Sequence, residues 1–153
     1  MIDVADLAVM REIEHLKYRY LRTLDLKDWD AFADTLTEDV VGDYGPNLHF
    51  EGRDALVGFM RSALGPELIS LHNCHHPELV LDGDTATGTW YLEDQVIVLP
   101  ARIILTGAAF YEDTYRREDG VWRISGTGYR RTFEAVQSLD DVPSWKLTAN
   151  RFA

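Results

Sequence analysis

The sequence predicts an α+β fold: a strongly curved antiparallel sheet with three helices, all from the N-terminal half, packed across its concave face. Three observations carry this. Apolar residues recur near a period of 3.6 in the first part of the chain. From Glu67 onward the period becomes two, over four long runs rich in Thr, Val, Ile, Tyr and Trp. Turn-forming residues separate those runs. Helices first and strands after, without alternation, is the pattern of segregated layers rather than of a parallel sheet.

The first helix is expected over about residues 3–24. Leu7, Met10, Ile13 (or Glu14), Leu16, Tyr20 and Leu24 form its apolar stripe, Arg11, Glu12, Lys17 and Arg19 its outer face, and Asp3 or Asp6 its cap. Asp25-Leu26-Lys27-Asp28 then makes a tight corner. A second helix, about 29–36, places Trp29, Phe32, Ala33 and Leu36 at i, i+3, i+4 and i+7. Val40, Val41 and Tyr44 suggest a short strand, Gly45-Pro46-Asn47 a turn, and His49-Phe50-Glu51 its return. A third helix is expected over about 54–63, closed by Gly65-Pro66. Strands follow at about 68–81, 85–98, 102–117 and 121–133, with hairpin turns at Asp82-Gly83-Asp84 and Glu118-Asp119-Gly120. At 153 residues the chain suits a single domain, over about 1–135. Residues 136–153 read as an irregular tail whose Trp145 and Phe152 are available to dock on the body or on a neighbouring subunit.

Composition removes several function classes. The net charge of −11 repels nucleic acid and anionic membrane, so neither is an expected partner. No apolar stretch is long enough to span a bilayer. The single cysteine, Cys74, forms no internal disulfide, and with an acidic start lacking a basic leader it fits a cytoplasmic setting. There is no Gly-rich phosphate loop, nucleophile elbow or Cys-x-x-Cys pair.

What remains is a constellation around Ile69-Ser70-Leu71-His72-Asn73-Cys74-His75-His76-Pro77. In an extended strand Ser70, His72, Cys74 and His76 share one side, and Ile69, Leu71, Asn73 and His75 the other. His72, Cys74 and His76 at strand spacing, with no second cluster, are weak evidence for a metal, and none is expected. Asp25 closes the first helix, where a carboxylate opposes the dipole; that placement points to a buried carboxylate holding a histidine in one tautomer. Asp94 interrupts the otherwise small or apolar face Ala86, Gly88, Trp90, Leu92, Val96, Val98, so it needs a partner or a raised pKa. Tyr20 on the first helix's stripe and Tyr44 near the hairpin can bring hydroxyls to the same cavity. Arg131 is expected to share a face with Tyr129 and Phe133.

These residues, in the segments Tyr18-Arg19-Tyr20-Leu21-Arg22-Thr23-Leu24-Asp25, Ile69-Ser70-Leu71-His72, His75-His76-Pro77-Glu78, Ala86 to Asp94, Gly107-Ala108-Ala109-Phe110-Tyr111 and Thr127-Gly128-Tyr129-Arg130-Arg131, carry a family resemblance. Over about residues 10–135 the chain resembles the SnoaL-like branch of the nuclear transport factor 2-like (cystatin-like cone) superfamily. Within that branch it is similar to bile acid 7α-dehydratases, and more distantly to scytalone dehydratases and hexachlorocyclohexane dehydrochlorinases. It departs from the first of these between Asp94 and Phe110, where Leu99-Pro100-Ala101 replaces a longer hairpin. The resemblance implies His72 as proton-abstracting base, Asp25 as its orienting partner, Tyr20 and Tyr44 as pocket hydroxyls and Asp94 as a second acid/base group. Tyr44, His75, Trp90 and Arg131 are the expected substrate contacts. It further implies no metal or organic cofactor and a homo-oligomer, a trimer above a dimer. The expected activity is elimination of water from a hydrophobic, hydroxylated, steroid-like or polycyclic ketone. Ring isomerisation or polyketide cyclisation would use the same groups, and a ligand-binding or assembly module would use the cone alone.

Overall fold

A computed structural model describes residues 3–153. Its elements, in chain order, are α1 (Val4–Leu26), α2 (Trp29–Ala33), β1 (Leu36–Asp43), β2 (His49–Glu51), α3 (Arg53–Ala63), β3 (Leu68–Asp82), β4 (Thr85–Val98), β5 (Ile103–Glu118), β6 (Val121–Thr127) and β7 (Tyr129–Ser138). The strands form one mixed sheet in the order β2-β1-β6-β5-β4-β3, with β7 paired to the other half of β5. The β1–β6 pair is parallel, against the wholly antiparallel sheet expected. The helices lie inside the curve, α1 against β3 and β6 and α3 against β1. Among the described residues no helix is long and apolar enough to cross a membrane.

Local chemistry explains the element ends. Asp3 and Asp6 form a reciprocal capping box at the start of α1, with bonds of 2.8 and 3.0 Å. Lys27 ends the helix in the left-handed region (φ 58°), and the Lys27 and Asp28 amides close onto the Leu24 and Thr23 carbonyls. Asp28 then caps α2 through the Ala31 amide. α2 is shorter than expected. Leu36 reaches the core from β1, opposite Ile124, because the Thr35 carbonyl is taken by the Ile124 amide and draws the chain into the sheet. Leu7 is also misplaced by its period, being 57% exposed near the start of α1.

Curvature comes from irregularities in the strands. β4 and β5 pair without interruption from Thr85–Arg116 to Val98–Ile103, joined by a short turn with Arg102 left-handed. β3 carries a bulge between His75 and Glu78, and β7 one between Arg131 and Phe133. The expected single strand over 121–133 breaks at Gly128, so β5 pairs with β6 at its C-terminal end and with β7 at its N-terminal end. Gly128 is fixed by proximity: a Cβ there would lie 1.8 Å from the Asp43 carbonyl oxygen. The tail beyond Ser138 makes a single helical turn (Leu139–Asp141) and then runs irregularly, with the Asn150 amide bonded to the Pro66 carbonyl and the Phe152 ring 4.7 Å from Lys27 Nζ.

The largest departure from expectation is Lys17, assigned to the outer face of α1. Its side chain is fully buried, with Nζ 2.7 Å from the equally buried Asp113 Oδ2 and 3.4 Å from the centroid of the Tyr111 ring. Asp113 also accepts from Tyr115 Oη and Thr127 Oγ1, both at 2.8 Å, and Tyr115 accepts from Trp90 Nε1. The lysine lies four residues from Ile13 and three from Tyr20, so helical geometry places it on the core stripe despite its charge.

Two stability measurements follow from this packing. Gly128→Ala is expected to lower the unfolding free energy measured in urea by about 1–3 kcal/mol or more, since backbone rather than a flexible side chain blocks the methyl. Lys17→Met strands the Asp113 carboxylate and is expected to cost about 3–5 kcal/mol, whereas Lys17→Met with Asp113→Leu recovers much of that loss. No recovery in the double variant would show that the stranded carboxylate is not the source of the loss.

Candidate active site

The last turn of α1 presents Asp25 to the inner face of β3. Its Oδ1 accepts from Ser70 Oγ at 2.8 Å and from His72 Nδ1 at 2.7 Å, and its Oδ2 accepts from the His72 backbone amide at 3.0 Å. These bonds offset the unfavourable position at the helix C-terminus. They exist because strand alternation turns Ser70 and His72 to the same side, while Leu71, Asn73 and His75 face out. A carboxylate only accepts, so Nδ1 carries the proton and Nε2 is left with its lone pair. The dyad is shielded, the side chains of His72 and Asp25 being 11% and 21% exposed.

His72 lines a cavity of about 620 Å³ between α1, α3 and the concave face of the sheet. Its walls are mainly apolar: Leu24, Phe59, Leu64, Val96, Val98 and Leu105 all contribute. Tyr20 and Tyr44 meet in it with their hydroxyl oxygens 2.7 Å apart. One of the two phenol protons is used between them and the other remains to donate elsewhere. Burial raises the pKa of both well above the ordinary phenol value, so the pair stays neutral and retains both protons. Tyr111 and Tyr129 complete a tyrosine cluster, with Tyr129 set edge-on to Tyr44 and to Tyr111.

Asp94, facing inward and 5% exposed as a residue, has the partner its strand position demanded. Arg131 Nη1 and Nη2 donate to its two oxygens, both at 2.8 Å, and Arg131 Nε lies 2.8 Å from Glu134 Oε2. Hydrogen bonding to Asp94 is the main reason the Arg131 pKa rises.

The structure therefore brings together Tyr20, Asp25, Tyr44, His72, Asp94 and Arg131. It does not bring in His75, which is exposed on the convex side, or Trp90, fully buried behind the cavity wall and bonded to Tyr115. His76 departs from the face it was expected to share: it sits in the β3 bulge in a left-handed conformation (φ 49°) and is exposed. The bulge also separates it from His72 and Cys74, and among the described residues no group of three or more His, Cys, Asp or Glu is placed to hold a metal ion. Cys74 faces inward, its thiol pushed up to about 12 by burial, and is unsuited to nucleophilic work. Phe133, expected beside Arg131, lies on the convex side because the β7 bulge reverses the alternation there. Sequence reasoning missed Glu134 for the same reason. Ser70 had a signal, being two residues before His72 on one strand face.

With this geometry in view, the comparisons with known proteins are consistent. The fold matches a protein described as a scytalone dehydratase from Novosphingobium aromaticivorans, with a TM-score of 0.80 and 22% identity over 85% of this chain and 88% of that one. It matches a hexachlorocyclohexane dehydrochlorinase, LinA type 2, with a TM-score of 0.80 and 19% identity over 86% and 90%. It also matches ActVI-ORFA from Streptomyces coelicolor, with a TM-score of 0.70 and 18% identity over 82% and 98%. At these identities the likeness is one of fold, the cone of the nuclear transport factor 2-like proteins. The SnoaL-like domain model matches residues 5–127, from the first helix to the end of β6, and the chain belongs to the SnoaL-like domain family.

Proposed function

We propose that the protein is a cofactor-independent lyase that eliminates water from a hydrophobic, hydroxylated polycyclic or steroid-like ketone. The observation that carries this reading is His72, held through Nδ1 by Asp25 at 2.7 Å with its other nitrogen left for an apolar cavity. A neutral imidazole accepts a proton at its free nitrogen and can return it, so one residue serves as base and then as acid.

Nε2 takes a carbon-bound proton made acidic by a conjugated carbonyl, and Asp25 stabilises the resulting imidazolium. The free proton of the Tyr20–Tyr44 pair donates to the enolate oxygen, an interaction strengthened in a dry pocket. The enolate electrons then form the new carbon–carbon double bond as the carbon–oxygen bond breaks. The departing hydroxide takes its proton from His72 and leaves as water, restoring the neutral base. Asp94 was a candidate for that second proton, but both its oxygens already accept from Arg131. Its role becomes one of positioning Arg131, which keeps one N–H on each Nη for the leaving oxygen. Isomerisation or cyclisation would use the same base and phenols without expelling a group. An assembly module would have no need of a held histidine beside an open cavity.

The first substrate to try is a 7α-hydroxy-4-en-3-one steroid, as free acid, neutral ester and coenzyme A thioester, because dehydration extends its chromophore to longer wavelength. Turnover is expected to fall about 10²–10⁴-fold in His72→Ala and to be reduced in Asp25→Asn, with folding followed by circular dichroism. Undiminished turnover in His72→Ala would remove the base. A folded protein that leaves the spectrum unchanged would remove the hydroxysteroid assignment.

Self-association belongs to the same proposal. Tyr91, Phe110 and Phe133 lie close together across β4, β5 and β7 on the convex face, each at least 39% exposed. Tyr91 and Phe110 are direct cross-strand partners, their ring centroids 4.8 Å apart. A second copy of the chain is the expected occupant, consistent with the homo-oligomer the family resemblance implies. Sedimentation velocity at micromolar concentration is expected to show a trimer, and a monomer there would exclude it.

A further inference from the structure

Every cation that lines the cavity is already matched by a carboxylate. Arg130 lies at the rim with Nη2 2.9 Å from Asp43 Oδ2, and its Nη1 is shared between the Asp43 and Tyr129 carbonyls. His72 is committed to Asp25. Arg131 is the case that matters, because it has two carboxylates rather than one. A guanidinium can take a carboxylate in bidentate fashion along its end, between the two Nη groups, or along its side, between Nε and one Nη. Asp94 fills the end edge, and Glu134 stands on the side edge at 2.8 Å from Nε. Two carboxylates against one guanidinium leave a local excess of negative charge beside apolar walls, where screening is weak.

Glu134 is not a rigid part of this cluster. Asp94 is 3% exposed and locked in the sheet, whereas the Glu134 side chain is 47% exposed and lines the cavity at its open end. It reaches Arg131 only because the β7 bulge shifts the alternation, putting position 134 rather than 133 on the cavity side. An exposed ion pair of this kind contributes little to stability. What it does is occupy the remaining site on Arg131 where an anionic ligand would bind.

We propose that Glu134 is a charge selector that restricts the cavity to uncharged ligands. The proposal rests on the cavity being the substrate site, and it narrows the substrate class to neutral hydroxy-ketones, with any acidic or phosphorylated end of a larger molecule left outside. A carboxylate or sulfonate entering the cavity would meet Asp94 and Glu134, with the end edge of Arg131 filled and the Nε half of its side edge already taken. An uncharged ketone or alcohol meets no such penalty and still has the two free Nη protons for a single hydrogen bond each.

The test uses two fluorescent probes that share one aromatic skeleton and differ by one sulfonate: N-phenyl-1-naphthylamine and 8-anilino-1-naphthalenesulfonate. Dissociation constants are measured for each by titration into the wild type and Glu134→Gln. Because the probes differ in intrinsic hydrophobicity, the decisive quantity is the change in their ratio. Glu134→Gln is expected to tighten the sulfonate probe roughly fivefold or more, the order expected for removing one nearby charge at a partly exposed site, and to change the neutral probe less than twofold. Equal changes for both probes, or none for either, would overturn the proposal. Binding is read without turnover, so a failed dehydration assay leaves this result standing. Conversely, loss of charge selection leaves the His72 mechanism intact.

Discussion

The Asp25 carboxylate joins the first helix to the sheet, and the site depends on that joint. Its three acceptor contacts tie the last turn of α1 to two side chains and one amide of β3, so the helix beside the cavity and the strand that carries His72 are held in one geometry. A carboxylate at a helix C-terminus would by itself weaken the helix. Here the helix ends on a left-handed Lys27 immediately beyond it, which lets the chain turn away and leaves Asp25 aimed at the strand. Structure and chemistry use the same bonds: those that dock the helix also decide which imidazole nitrogen bears the proton.

Further along the same helix, Lys17 and Asp113 form a second anchor of a different kind. Their charges are fully buried, so the pair adds less to stability than its short distance suggests, while removal of either partner is costly. The value of such a pair lies in specifying one arrangement. Asp113 gathers a lysine from α1, a tyrosine from β5 and a threonine from β6 on one carboxylate, fixing the rotation of the helix over the sheet. That rotation directs Tyr20, one turn on, toward Tyr44. The phenol pair therefore depends on a charge network that itself does not line the cavity.

Much of this was legible in the sequence wherever side-chain direction follows a simple period. Alternation in β3 placed Ser70 and His72 together, and alternation in β4 exposed Asp94 as the lone carboxylate of an apolar face in need of a partner. Asp119-Gly120, both at positive φ, forms the two-residue hairpin that its composition indicates. What could not be read were the places where the period breaks. The bulges at His76 and Thr132 and the break at Gly128 depend on contacts with other strands, and each moves the residues beyond it to the opposite face. His76 and Phe133 left the faces they were expected to share, and Glu134 joined the cavity lining, through that one cause. Lys17 failed differently: its position on the helix pointed inward, its charge outward, and only the distant Asp113 resolves the conflict.

The groups left unsatisfied in the cavity bound its chemistry more tightly than those that are paired. Asp25 is filled by its three donors, Asp94 by Arg131, and the Cys74 thiol is held neutral by burial. The remaining capacity includes the Nε2 lone pair of His72, one phenol proton from Tyr20 and Tyr44, and two guanidinium protons on Arg131. An acceptor and donors so placed around an apolar volume can remove a proton from carbon and receive the charge that develops on oxygen. Among these groups none is suited to forming a covalent intermediate, since the thiol is protonated and the carboxylates are engaged. Under the proposed reaction such a site suits a neutral substrate whose own carbonyl provides the electron sink, so the identity of that carbonyl compound would be the variable on which activity turns.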